Sequence, residues 1–106
     1  MMDKKTKDFN EILLSSIDEA FISWGDSVGP SVYLHLERNF VRRNEIPQNL
    51  EAFQVGLERI FGVGARFVEI LVMRRLHSKI NSFFTFYPSE KFDFIEYVSL
   101  AKNSFP

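Results

Sequence analysis

Three observations predict an all-α fold, a compact bundle of five helices. Apolar residues recur at three- and four-residue steps through most of the chain, Gly or Pro stands near the ends of these periodic runs, and only one short aromatic stretch alternates. At 106 residues the chain can form one hydrophobic core but not two ordinary ones. Twelve Phe, with Trp24 and three Tyr, supply that core; each fully buried Phe contributes roughly 1.5–3 kcal/mol.

Residues 1–8 are polar and read as a flexible tail, which leaves 9–106 as a single helical domain. A first helix begins at Asp8 and places Phe9, Ile12, Leu13, Ile17, Ala20, Phe21 and Trp24 on one stripe before Gly25 ends it. A second starts from a cap at Asp26 or Ser27. That start puts Pro30 in the first turn, where its missing N–H has no intrahelical partner to lose. Val28, Val32, Leu36 and Phe40 form its stripe.

Val41–Gln48 reads as a loop stopped by Pro47. A third helix runs from an Asn49 cap through Phe53, Leu57, Ile60 and Phe61 to Gly62, and a fourth spans about Gly64 to Ile80. The segment Phe83-Phe84-Thr85-Phe86-Tyr87 is extended, with Phe84 and Phe86 on one side and Phe83, Thr85 and Tyr87 on the other. About half of these side chains are expected to fold back over the bundle. The last helix begins near Ser89 and carries Phe92, Ile95, Val98 and Ala101.

The fourth helix has two apolar faces. At 100° per residue, Ala65, Val68, Val72, Leu76 and Ile80 share one side, with Met73 at its border. Phe67, Ile70 and Leu71 share the opposite side, which becomes polar at Arg74, Arg75, His77 and Ser78. A helix apolar nearly all round is buried all round. Its first half is therefore expected to be the central rod of the domain, or else the face of a homodimer.

Composition excludes several chemistries. With no Cys there is no disulfide and no thiolate metal site. No apolar run approaches the roughly 18 residues of a membrane helix, and no apolar segment follows the charged N-terminus as a secretory signal requires. The expected location is cytoplasmic, with no membrane partner. Net charge is −1, but residues 27–79 carry seven Arg and one Lys against five Glu, a mildly basic middle.

The pair Gly62–Gly64 lacks the Lys-Ser/Thr of a phosphate loop and the third glycine of a dinucleotide fingerprint. It reads as a corner between helices, with Gly64 allowing close approach. A helix-turn-helix reading founders on the apolar N-terminal half of the fourth helix, because a recognition helix presents polar side chains there. The only histidines, His35 and His77, have no metal-ligand spacing, so no cofactor or metal is expected. His35 reads as a semi-buried structural histidine, and Tyr33 and Glu37, one turn apart, are able to meet.

The pattern G-D-S-V…Y-L-H-L-E…E-I-P…L-E-R-I-F-G-x-G-A…E, over residues 12–80, resembles an archaeal helical family named as a Nitrosopumilus output domain. Tyr33, His35, Leu36, Glu37, Glu45, Ile46, Pro47, Phe61, Gly62, Gly64, Ala65 and Glu69 carry the resemblance, while Gly29-Pro30 departs from it. It implies a small signalling-output module, alone or attached to sensory and receiver-type domains, and no reaction.

The expected function is a non-enzymatic regulatory or protein-interaction module, homodimeric, with an interaction surface at Phe67, Ile70, Leu71, Arg74, Phe83 and Phe86. The runner-up is a nucleic-acid-associated regulator using Arg38, Arg42, Arg43, Arg74 and Arg75. A third reading is a small-ligand sensor with a polar site at Tyr33, His35, Glu37 and Arg66.

Overall fold

The computed structural model describes residues 3–106. Helices α1 (Lys4–Ile22), α2 (Val28–Asn39), α3 (Leu50–Phe61), α4 (Ala65–Ile80) and α5 (Phe94–Ser104) form an all-α bundle without strands among the described residues. Its radius of gyration, 13.1 Å, is close to the ~13 Å of a single domain this size.

Helix α1 begins at Lys4, not at Asp8, because Asp3 caps it: the Asp3 carboxylate accepts the Thr6 N–H at 2.7 Å. Of the expected tail, residues 1 and 2 lie outside the described residues, and 4–8 are helical. Of the expected stripe, Phe9, Leu13, Ile17, Ala20 and Phe21 are buried, Ile12 is half-buried, and Trp24 lies beyond the end of the helix and is exposed. Ser23 and Gly25 then close the helix, and Gly25 takes a φ of 132° that side-chain-bearing residues rarely adopt.

Pro30 falls in the first turn of α2, and the helix runs on through it. Six of the eight residues read as loop form a 3-10 helix, Arg43–Gln48, nucleated by a fully buried Ile46. A Tyr33–Asp18–Arg43 cluster ties this turn to α1 and α2. The Tyr33 hydroxyl donates to Asp18 Oδ1 at 2.5 Å, and Arg43 donates to both carboxylate oxygens at 3.1 and 2.5 Å. The Arg43 guanidinium also lies 5.8 Å from the Tyr33 ring centre. Burial, reinforced by the Asp18 hydrogen bond, holds the Tyr33 phenol well above its ordinary value. The Asp18 hydrogen bond also raises Arg43 above its usual value.

Helix α4 supplies the middle of the core. Its buried residues Ala65, Val68, Val72, Met73, Leu76 and Ile80 pack against α1, α3 and α5. It runs antiparallel to α1: Lys79 lies by Asp8 and Glu11 in the first half of α1, Arg75 meets Glu19 in its last turn, and Trp24, just past its end, lies with Phe67 and Leu71. The corner before it is set by Gly62, whose φ of 57° favours glycine. Gly64 is helical, and a Cβ there would meet only an ordinary contact at 3.8 Å. Close approach, expected at Gly64, occurs instead at Gly56. A Cβ on Gly56 would overlap Leu36 Cδ2 and press on the Phe40 ring at 3.3 Å, so glycine lets α2 and α3 meet.

Helix α5 starts at Phe94 rather than near Ser89. Asp93 caps it by accepting the Glu96 N–H at 3.1 Å, while the carbonyls of Glu90 and Phe92 accept from Arg66 instead of from a following helical turn. The aromatic segment folds back in part: Phe84 is buried, Phe83 half-buried, and Phe86 and Tyr87 are exposed. Phe84, Phe86, Phe92 and Tyr97 form a run of ring contacts with centroids 5.3–6.3 Å apart. The Tyr97 hydroxyl donates to the Phe86 carbonyl at 2.7 Å.

Two stability predictions follow from this packing. Replacing Gly56 by Ala gains helix propensity but overpacks Leu36, for a net loss of about 1 kcal/mol in denaturant unfolding; a stabilised variant would contradict the close approach. Burial pushes the Tyr97 phenol up to about 12 from 10.0. A raised folded-state value means that the native state keeps its proton where the unfolded chain loses it. This contribution is therefore whole below pH 10 and is lost as pH rises from 10 to 12. Alkaline unfolding followed by circular dichroism should be less steep in Tyr97→Phe, with the remainder due to Tyr33.

Candidate functional site

The outward face of α4 carries most of the residues of interest. Its inward face is covered by three helices, but no helix covers Phe67, which is 69% exposed, and Ile70 and Leu71 are only half-buried. The expected central rod is therefore corrected: α4 is buried on one side and presents the opposite apolar face to a groove. The reason is topological. After α4 the chain turns at Asn81-Ser82 and returns along this face as an irregular segment, which is too narrow to close it.

That returning segment is one wall of the groove, and Trp24 stands on the other. Trp24, Phe67, Ile70, Leu71, Ser89 and Glu90 surround a depression of ≈ 320 Å³, with Arg74 at its end. Arg74 also lines a second depression of ≈ 320 Å³, shared with His77 and Tyr87. The two depressions adjoin at Arg74 and together make a trough along α4. Trp24 is fixed by an edge-on contact with Phe61 at 5.4 Å, and Tyr87 by one with His77 at 5.3 Å.

The trough owes its wall to Arg66. One guanidinium nitrogen donates to Glu69 Oε1 at 3.2 Å, and the other donates to the carbonyls of Glu90, at 2.8 Å, and Phe92, at 2.5 Å. Glu69 is buried at 4% exposure and also accepts from Gln54 of α3 at 3.4 Å. A buried carboxylate requires such partners, because an isolated charge in the interior is costly. This acid sits on the core side of α4, where the apolar periodicity gave it no reason to be. Its one sequence signal is Arg66 three residues earlier on the same helical face.

The other expected site residues separate. Phe83 faces away from the groove and packs on Phe105 at 5.4 Å, while Phe86 joins the aromatic run over α5. The polar set of Tyr33, His35, Glu37 and Arg66 does not assemble. Tyr33 turns to Asp18, Glu37 lies on the surface 4.0 Å from Arg42, and Arg66 is held by Glu69 and the two loop carbonyls. His35 is exposed, not semi-buried, and opens into a cleft between α2 and α3. Successive helical positions diverge by 100°, so residues 33, 35 and 37 do not share one face.

The arginine surface is similarly divided. Arg43 is bound to Asp18, Arg75 lies 3.9 Å from Glu19, and Arg42 lies near Glu37. Arg38 and Arg74 remain exposed without ion-pair partners among the described residues, but only Arg74 reaches the groove. No group of three or more metal-ligating side chains occurs among the described residues. No helix there is long and apolar enough to cross a membrane.

No protein-family model matches the chain. No curated protein and no solved structure matches it either.

Replacing Arg66 by Ala strands the Glu69 charge and releases the 90–92 carbonyls. The expected cost is about 2 kcal/mol, measured by urea unfolding, with faster amide exchange in residues 86–93. Lys should rescue little, because an ammonium does not span the geometry of the guanidinium fork.

Proposed function

We propose that this protein is a non-enzymatic interaction module of the signalling-output kind, and that it pairs with a second copy of itself through the trough on α4. The observation that carries this reading is Phe67, a large apolar ring left 69% exposed at the rim of an apolar groove. Exposed apolar side chains that stand singly need no explanation, whereas a contiguous set marks a docking surface. Phe67, Ile70, Leu71 and Trp24 are such a set.

A two-fold interface requires a patch that complements itself. This one carries a projecting ring and a groove to receive it. It also carries both signs of charge: the Arg74 guanidinium and the Glu90 carboxylate line the same depression, and neither has an ion-pair partner among the described residues. Across a two-fold axis, Arg74 of one copy faces Glu90 of the other. The resemblance to Nitrosopumilus output domains accords with a module that acts by association. The nucleic-acid reading is the weaker one, since carboxylates of α1 already engage Arg43 and Arg75.

Sedimentation over a concentration series tests the pairing. Phe67→Glu should shift the protein to monomer with helicity unchanged, because the ring is mostly in solvent. Arg74→Glu and Glu90→Arg should each weaken association, and the double reversal should restore it. A strict monomer at about millimolar concentration, or a dimer indifferent to Phe67, overturns the reading.

A further inference from the structure

A further depression lies away from the trough, between α2 and α3. It measures ≈ 610 Å³ and is lined by His35, Asn39, Phe40, Arg59 and Ile60. We propose that this cleft binds a small organic anion, with a phosphate or carboxylate held by Arg59 and His35 and an apolar body laid on Phe40 and Ile60. The proposal is independent of the pairing through α4.

Four observations support it. First, the volume falls in the range of about 300–1,000 Å³ typical of small-molecule sites. Second, three polar side chains converge from two helices, and among the described residues none of them is spent on a protein partner. By contrast, Arg42, Arg43, Arg66, Arg75 and Lys79 each meet a carboxylate. Arg59 has an acid beside it in sequence, but Glu58 faces a different depression, with Arg66 and Asp93. Its charge is left uncompensated at the cleft.

Third, Phe40 and Ile60 are half-buried, so apolar surface remains between the polar groups. Fourth, the close approach of α2 and α3 at Gly56, against Leu36 and Phe40, fixes the spacing of the two walls before any ligand arrives.

The donor set defines the ligand class. A guanidinium fork matches two oxygens of one anionic group. The imidazole and the Asn39 amide add directed donors. No carboxylate lines the cleft, so nothing there recognises a cation. The apolar floor favours an anion with an attached ring over a bare inorganic one.

Titration of the full chain with phenyl phosphate, followed by amide chemical shifts, tests this site, with inorganic phosphate and benzyl alcohol as parallel arms. Saturable shifts confined to residues 35–40 and 56–60 are expected, with phenyl phosphate binding more tightly than either fragment. Arg59→Gln should weaken it at least about tenfold, the loss expected for one charge-assisted contact. His35→Ala should weaken it several-fold, and Arg38→Gln, on α2 but outside the cleft, should leave it unchanged. No saturable shift at about 10 mM phenyl phosphate overturns the proposal. So does equal weakening by Arg38→Gln and Arg59→Gln, which marks diffuse surface attraction. Equal binding of inorganic and phenyl phosphate removes the role of the apolar floor and overturns the ligand class.

Discussion

The fold rests on the seam where α4 lies antiparallel against α1. Val68, Val72, Met73, Leu76 and Ile80 on one helix and Phe9, Leu13, Ile17 and Phe21 on the other are withdrawn almost completely from water. Burial of that kind is worth roughly 1.5–3 kcal/mol for each large side chain, far more than the exposed ion pairs from Glu19 to Arg75 and Lys79 at its edge. Helices α3 and α5 complete the cover of the same face of α4. Because three helices converge on one side, the opposite side is left to the irregular segment, and a partly open apolar trough follows from the packing.

Arg66 converts that open side into a defined shape. It anchors two carbonyls of a segment with no regular secondary structure and neutralises a buried carboxylate at the same time. A guanidinium suits both tasks because its donors diverge in a fixed plane. The start of α5, the wall of the trough and the burial of Glu69 are thus consequences of one side chain. The Tyr33–Asp18–Arg43 cluster does comparable work on the other flank, where it ties the 3-10 turn to α1 and α2.

The two surfaces proposed for binding meet at the end of α3. Ile60 lines the anion cleft, while its neighbour Phe61 packs edge-on against Trp24, which forms a wall of the trough. Consecutive residues on one rigid helix therefore touch both surfaces. That proximity gives a short route by which occupancy of one could bias the other, provided that the ligand prefers one arrangement of this corner.

The sequence by itself determined the number of helices, their buried stripes and several of their ends. Periodicity found Phe9–Phe21, Val32–Leu36, Phe53–Leu57 and Val68–Ile80 because burial of one helical face imposes that spacing. Gly25 and Gly62 were legible as helix stops because positive φ suits glycine. It also marked Phe67, Ile70 and Leu71 as a second apolar face on α4.

Whether that face was covered only the tertiary structure decided, since periodicity reports which side is apolar and not what lies over it. The late start of α5, the burial of Glu69 and the turning of Tyr33 to Asp18 rather than to Glu37 were hidden for a related reason. Each depends on a partner brought close by folding: Arg66 reaches Glu90 and Phe92 across more than twenty residues, and Tyr33 reaches Asp18 across fifteen. Local spacing carries no record of such contacts, because they exist only once the helices have packed.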